Sequence, residues 1–381
     1  MNRTYIDIHL VQSVPPSNLN RDDTGSPKTA TYGGVRRARV SSQAWKRAVR
    51  QEFAELLDTT ELGVRTKRVV EVLADRIEST HGEIERAQAL DLAKQVLTAA
   101  GIKVAEPKGK KGAPEESGYL LFLSALQISA LARFAVESWE TDEQPDKKQA
   151  KALLQQGNSV DLALFGRMVA DVSDLNVDAA CQVAHALSTH AVETEYDYFT
   201  AVDDQKAASE DEDAGAGMIG TVEFNSATLY RYATINANML RENLGDISAT
   251  ERAVDAFIRA FIHSMPTGKQ NTFANRTLPA GVVISVRGDQ PISYVGAFED
   301  PVRVANTGGS ILTSAEKLAA YATDITAAYG SEALLTRVVG LSDVEKKLSS
   351  LGEVSGLDNA VAAVTEFIVE RLGEAASPGQ S

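Results

Sequence analysis

The chain has 381 residues, a net charge of −14 and 44% hydrophobic content, enough to bury one large core or two to three smaller ones. A single cysteine, Cys181, excludes an intrachain disulfide framework and a thiolate metal cluster, and points to a reduced, cytoplasmic protein. The start, MNRTYIDIHL, lacks the apolar core of a signal peptide. The longest apolar run, Tyr119 to Val136, is interrupted by Gln127, Ser129 and Arg133 and reads as a buried core helix, so no membrane partner is expected.

In chain order, Thr4 to Val11 alternates, with Ile6, Ile8 and Leu10 on one side and Tyr5, Asp7 and His9 on the other. That is the pattern of a half-buried strand. Gln12 to Thr31 reads as a polar loop containing Pro15-Pro16, and its length marks it as functional. Gly33-Gly34 predicts a turn, and Val35 to Val40 a short strand with interleaved arginines. Ser41 and Ser42 are N-cap candidates for a helix running to about Leu57. On it Gln43, Lys46, Arg47 and Arg50 fall at i, i+3, i+4 and i+7, while Trp45, Val49, Phe53, Leu56 and Leu57 form the apolar face.

Charge singles out this stretch. Residues 21–50 carry eight basic side chains (Arg21, Lys28, Arg36, Arg37, Arg39, Lys46, Arg47, Arg50) and two acidic ones (Asp22, Asp23), a balance of +6 that leaves −20 for the remainder. Concentrated positive charge on an acidic protein points to a polyanion. A helix start offering hydroxyls, free N–H groups and a basic stripe suits phosphate.

From about Leu62 to Asp174 the apolar spacing is helical, interrupted by a Lys/Gly/Pro-rich loop over Glu106 to Gly118. Lys147, Lys148 and Lys151 share one helix face, which reads either as a solvated face or as a polyanion contact. His185 to Thr194 returns to strand-like alternation. Tyr196 to Phe224 reads as a β-hairpin with aromatic arms and an acidic, Gly/Ala-rich tip over Asp203 to Gly217. Val222 to Tyr232 alternates as a long strand. Ser248 to Glu251 looks like a capping box for a helix ending before Pro266. Gly268 to Thr272 is a Gly-led polar loop, and Val282 to Val286 another strand. After Thr313 about three amphipathic helices follow, two with box-like starts at Thr313/Glu316 and Ser342/Glu345. The last residues, SPGQS, are expected to fray. Without the helical and hairpin insertions the element order reduces to a βαβ-βαβ-like, ferredoxin-like α+β core.

Several strings carry a family resemblance. NLNRDD (Asn18 to Asp23), GGVRRARVSSQAWKRAVR (Gly33 to Arg50), LFGRM (Leu164 to Met168), YDYFTAVDD (Tyr196 to Asp204) and the segment from Phe224 to Leu240 match in order and spacing. The chain resembles the CasC family, the backbone subunits of type I-E CRISPR Cascade surveillance complexes, over most of its length and more thinly from about residue 300. The resemblance implies an RRM-like palm (1–60, 175–195 and 225–381), helical fingers (61–174) and a thumb hairpin (196–224). It implies a CRISPR RNA (crRNA) guide, a target DNA strand, further copies in a head-to-tail filament, and other Cascade subunits capping that filament, with no cofactor.

Residue by residue, the resemblance puts Arg21, Lys28, Ser41, Gln43, Lys46 and Arg50 at guide-backbone contacts, Arg50 standing where the family often has lysine. It puts Val40 and Met168 beside the bases, and Phe199 and Thr200 where a thumb interrupts the guide–target duplex. Lys269 and Gln270 add a palm contact, and Lys147, Lys148 and Lys151 would face DNA.

A catalytic reading is weaker. The five histidines, His9, His81, His185, His190 and His263, form no zinc or HExxH spacing, and neither a P-loop nor a GxSxG motif is present. The alternative to a scaffold is a metal-dependent ribonuclease using Asp22 or Asp23, since backbone subunits of type III CRISPR complexes cut RNA with an aspartate in a comparable loop. In the type I-E reading these residues cap the loop or orient Arg21. The Asp203-Asp204 pair reads as a turn. A lone RRM-type RNA-binding module is a third possibility.

Overall fold

The computed structural model describes residues 3–109, 112–169, 171–201, 218–303 and 309–376. The hairpin tip expected over Asp203 to Gly217, part of the Lys-rich loop and the terminal SPGQS lie outside these residues. The chain forms two compact units. One comprises Met1–Glu52, Val183–Thr234 and Phe257–Phe367; the other comprises Phe53–Gln182, Ile235–Ala256 and Ile368–Ser381.

The strands in chain order are β1 (Tyr5–Ser17), β2 (Thr29–Tyr32), β3 (Val35–Val40), β4 (Gly63–Thr66), β5 (Val104–Ala105), β6 (Glu116–Ser117), β7 (Leu121–Ser124), β8 (Cys181–Val183), β9 (Ala186–Ser188), β10 (Glu195–Ala201), β11 (Met218–Asn236), β12 (Gly281–Arg287), β13 (Leu335–Gly340) and β14 (Glu353–Val354). The main sheet runs β14-β13-β12-β1-β11-β9-β3-β2, with β8 and β10 also paired to β11. Strand β1 lies antiparallel to β12, Tyr5 opposite Arg287 and Val11 opposite Gly281. The fold is mixed α+β.

Strand β1 is longer than its alternation predicts and includes Pro15-Pro16, which shortens the expected loop. It is also covered on both faces. Ile6, Ile8 and Leu10 are fully buried, but so are Asp7 and His9. The polar face survives burial because partners converge on it. Arg287 Nε lies 3.2 Å from Asp7 Oδ2, and the Tyr232 hydroxyl donates to Asp7 Oδ1 at 2.9 Å. His9 Nδ1 is 2.9 Å from the Tyr230 hydroxyl, its ring stacks 4.2 Å from that of Tyr294, and burial lowers its pKa to about 3. On the other side of β11, Arg231 stacks 3.7 Å above the Trp45 ring and donates to Gln12 Oε1 at 2.6 Å. Desolvation lowers the pKa of Arg231 to about 9.

The helix α1 (Ser42–Leu56) contains the sequence boundary at Glu52/Phe53, and the second unit is largely helical, with α2 (Val69–Thr80), α3 (Arg86–Ala99), α4 (Ala125–Glu140), α5 (Lys147–Gln155) and α6 (Val160–Phe165). Its core joins Leu73, Ile77, Leu92, Val96 and Leu131. The run from Tyr119 to Val136 is not one helix. Its first part is β7, antiparallel to β4, and α4 begins at a capping box in which Ser124 and Gln127 bond each other's backbone N–H groups.

Other helix starts also differ from expectation. Asp246 Oδ2, rather than Ser248, accepts from Ala249 N at 2.7 Å and starts the helix Ile247–His263. The helices Ile311–Tyr329 and Ser342–Leu348 have no side-chain cap hydrogen bond. The strand β13 before Ser342 carries no clean alternation, and only Ala186–Ser188 of the expected 185–194 strand pairs. The loop after Gly268 includes a short helix, Gln270–Phe273.

Candidate nucleic-acid interface

Between β1 and β2 the chain folds back on itself. Asn18 is buried and its Nδ2 donates to Gly25 O at 3.0 Å and to Glu223 O at 2.9 Å, fixing the loop to β11. Asp22 Oδ1 accepts from the Thr24 hydroxyl at 2.7 Å, Thr24 N at 2.9 Å and Ser26 N at 3.1 Å. These bonds, the Thr24 hydroxyl first, hold the Asp22 carboxyl below the usual range. Arg21 bridges to Pro27 through its backbone and is exposed. Asn20 ties the loop to the next elements: its carbonyl accepts from Lys28 N at 2.8 Å and its Oδ1 from Ser41 N at 2.9 Å.

A distant segment closes onto this loop. A Cβ on Gly268 would lie 2.2 Å from Leu19 O and 2.6 Å from Asn18 O, so only glycine permits the approach. Lys269 follows with φ of 50°, and Gln270 opens the short helix beside it, exposed. Arg21 and the Lys269–Gln270 pair, about 250 positions apart, thereby sit on adjoining loops of one unit.

Strands β2 and β3 pair around Gly33-Gly34, both with positive φ. The arginines of β3 divide. Arg37 is buried and donates to Tyr32 O, Ser188 O, Phe298 O and Glu299 O. Arg36 is exposed. Arg39 donates from Nε to Thr29 O at 3.2 Å and lies 3.2 Å from His185 Nδ1.

The Ser41 hydroxyl accepts from Ala44 N at 3.3 Å, an N-cap contact at the start of α1. Trp45, Ala48, Val49 and Phe53 are buried, which leaves Gln43 and Arg47 exposed and Lys46 and Arg50 half-buried at the rim. Leu56, expected on the apolar face, is 41% exposed. Val40 is buried and lines a small cavity together with Lys28, Arg39 and Asn20.

The arms of the hairpin are β10 and β11, antiparallel, with Phe199 opposite Gly220 and Thr200 opposite Ile219. The Phe199 ring lies over Gly220, where a Cβ would come within 2.5 Å of it, and the ring keeps 38% of its surface in solvent. Tyr196 and Tyr198 are exposed on the opposite face of the strand.

Met168 belongs to the second unit and is 85% exposed. Its neighbours hold it out. Arg167 is buried and donates to Leu175 O at 2.7 Å, Leu154 O at 2.6 Å, Phe122 O at 3.3 Å and Gln127 Oε1 at 3.2 Å. Desolvation lowers its pKa to about 10. Val169 is buried on the other side, its N–H donating to Asn176 Oδ1 at 2.6 Å. In the same unit Lys147 and Lys148 stand exposed on α5, whose start Asp146 caps, while Lys151 lies 3.6 Å from Asp174.

Among the described residues no cluster of His, Cys, Asp and Glu could hold a metal ion, and no helix is long and apolar enough to cross a membrane. His190 accepts from Thr228 N at 3.0 Å through Nε2. The anchoring roles of Asn18, Asn20, Arg37 and Arg167 carry no sequence signal, since their partners come from segments that no local pattern connects.

One family model matches residues 6–363, that of the CT1975-like proteins. The chain belongs to this family. Two solved chains resemble it across their whole length. One, from a structure described as a CRISPR RNA-guided surveillance complex, pre-nicking, is 35% identical with a TM-score of 0.84, covering 96% of this chain and 100% of that one. The other, from a CRISPR RNA-guided surveillance complex, is 30% identical with a TM-score of 0.74, covering 95% and 99%. Comparison with curated protein sequences yields no match. This CT1975-like chain therefore has the fold of a surveillance-complex subunit, and its Arg21 loop, α1 start and Gly268 loop lie together in one unit of that fold.

Proposed function

We propose that this protein is the multi-copy backbone subunit of a type I-E Cascade complex. It binds the crRNA guide by its phosphates, without sequence preference, and presents the bases in short segments to target DNA. The observation that carries this reading is the convergence of the Arg21–Lys28 loop, the α1 N-terminus and the Gly268–Lys269 loop through the Asn20 and Gly268 contacts, with Lys46 and Arg50 further along the same helix. Phosphate contacts position a strand without reading it, and pairing by the guide supplies specificity.

The sheet supports a ferredoxin-like palm. Its strands β12-β1-β11-β9 lie side by side, with α1 between β1 and β9 in chain order and the helix Ile247–His263 between β11 and β12. In that frame 61–174 are the fingers and 196–224 the thumb. Met168 is the apolar group beside the bases, and Phe199 with Thr200 interrupts the guide–target duplex; Val40, placed beside the bases by the resemblance, is buried against the Lys28 and Arg39 cavity and supports that surface instead. Lys147, Lys148 and Lys151 face the target strand. Head-to-tail contact between copies gives a filament along the guide, which other subunits must cap. The reading is non-enzymatic, and the bonds of Asp22 Oδ1 within its own loop support a structural role for that carboxylate.

The test is RNA binding as a function of salt. Replacing Lys46 with Ala should weaken affinity equally for unrelated RNA sequences and lower the salt slope by about 0.7. An unchanged slope removes Lys46 from the contacts. Regular cleavage of bound RNA with magnesium, abolished by Asp22→Ala or Asp23→Ala, would instead establish the ribonuclease.

A further inference from the structure

The loop before β2, strand β3 and the turn into β9 bring three basic side chains together: Lys28, Arg39 and His185. Arg39 N donates to Lys28 O at 2.9 Å, so the two residues are neighbours across the ladder. Arg39 lies opposite Leu187 and Val40 opposite Ala186, which places His185 at the same end of the sheet. The Arg39 guanidinium lies 3.2 Å from His185 Nδ1. Guanidinium can only donate, so Nδ1 accepts, and the imidazole is neutral with its proton on Nε2. His185 is exposed, and Lys28 and Arg39 are half-buried. The cluster adjoins Asn20 and the α1 start through the Lys28 N to Asn20 O and Ser41 N to Asn20 Oδ1 bonds.

We propose that Lys28, Arg39 and His185 form a phosphate seat next to the α1 N-terminus, and that His185 takes up a proton when an RNA phosphate docks there. The proposal rests on the guide-RNA reading and adds Arg39 and His185 to it. The charged groups acting on His185 are Arg39 from β3 and Lys28 from the loop before β2; together with partial burial, the largest cause, they hold its pKa below 6.5. A phosphate between them reverses the local field. Nδ1 then gains a proton, Arg39 turns from the ring to the phosphate, and the seat presents three cations to one anion. The sign follows from linkage. The bound form holds the proton more tightly than the free form, so binding strengthens as pH falls through the window between the two pKa values. A one-unit rise on docking gives at most about a tenfold gain.

The experiment is binding of a labelled oligouridylate, whose bases do not titrate here, to the full chain and to His185→Gln at constant ionic strength from about pH 7.5 to about pH 5.5. The wild type should tighten several-fold more than the variant, and the His185 ring resonance should titrate at higher pH with RNA than without. Arg39→Ala should lower the salt slope by about 0.7. Identical acid tightening in the two proteins, with an unmoved resonance, overturns the seat while leaving guide binding intact. Absence of RNA binding by either protein at any pH overturns the guide reading and the seat with it.

Discussion

Arg167 and Met168 are adjacent and play opposite parts. Arg167 is buried with four oxygen acceptors; Met168 is pushed into solvent by that anchoring. Arg167→Ala should destabilise the fold by about 3 kcal/mol, because buried carbonyls lose their donor. Met168→Ser should change stability by less than about 0.5 kcal/mol. Urea unfolding of the two variants separates these roles. His9 sets a pH dependence. Its folded pKa of about 3 lies below its ordinary value of 6.5, so its contribution is fully present above pH 6.5 and is lost as pH falls toward 3. Stability should therefore decline from about pH 6 downward, by up to about 1.4 kcal/mol per pH unit from this group. A His9→Gln variant with an equally steep acid limb would remove His9 as the cause.

At the scale of elements, the turn between β2 and β3 is held by what surrounds it. A Cβ on Gly33 would lie 1.7 Å from Glu299 O, whereas one on Gly34 meets nothing within 4 Å. Both residues have positive φ. Gly34→Ala should cost about 1 kcal/mol, and Gly33→Ala about 3 kcal/mol or more, since the Glu299 backbone must move. Equal melting temperatures for the two variants would contradict that packing.

The same contrast marks what the sequence could and could not disclose. The α1 stripe is legible because helical spacing separates Lys46 and Arg50 from Trp45 and Val49. The hairpin arms are legible because strong β-formers flank a Gly/Ala-rich tip. The fates of the β3 arginines are not legible: Arg37 is buried because Phe298 and Ser188 supply carbonyls from afar. Neither is the meeting of the Gly268 and Leu19 backbones, which rests on a missing side chain. Asp246 rather than Ser248 caps the helix: both residue types can cap, and only geometry decides that the Ala249 N–H and not the Glu251 N–H is the one met by a side chain.

For the whole molecule, a net charge of −14 around a basic segment disfavours nonspecific attraction to polyanions, which fits the proposed confinement of guide binding to the Arg21, α1 and Gly268 surfaces. In the proposed function one copy covers a few nucleotides, so many copies would lie in register along one strand, with the open filament closed by other subunits. Lengthening a bound RNA should add copies in whole steps, measurable as discrete masses. A single copy per RNA at every length would favour a lone RNA-binding module. The most direct measurement is sequencing of the RNA that co-purifies with the protein expressed beside a CRISPR repeat–spacer array. A uniform population of repeat–spacer guides is the predicted result; protein free of RNA, or carrying a random sample of cellular RNA, would contradict the account.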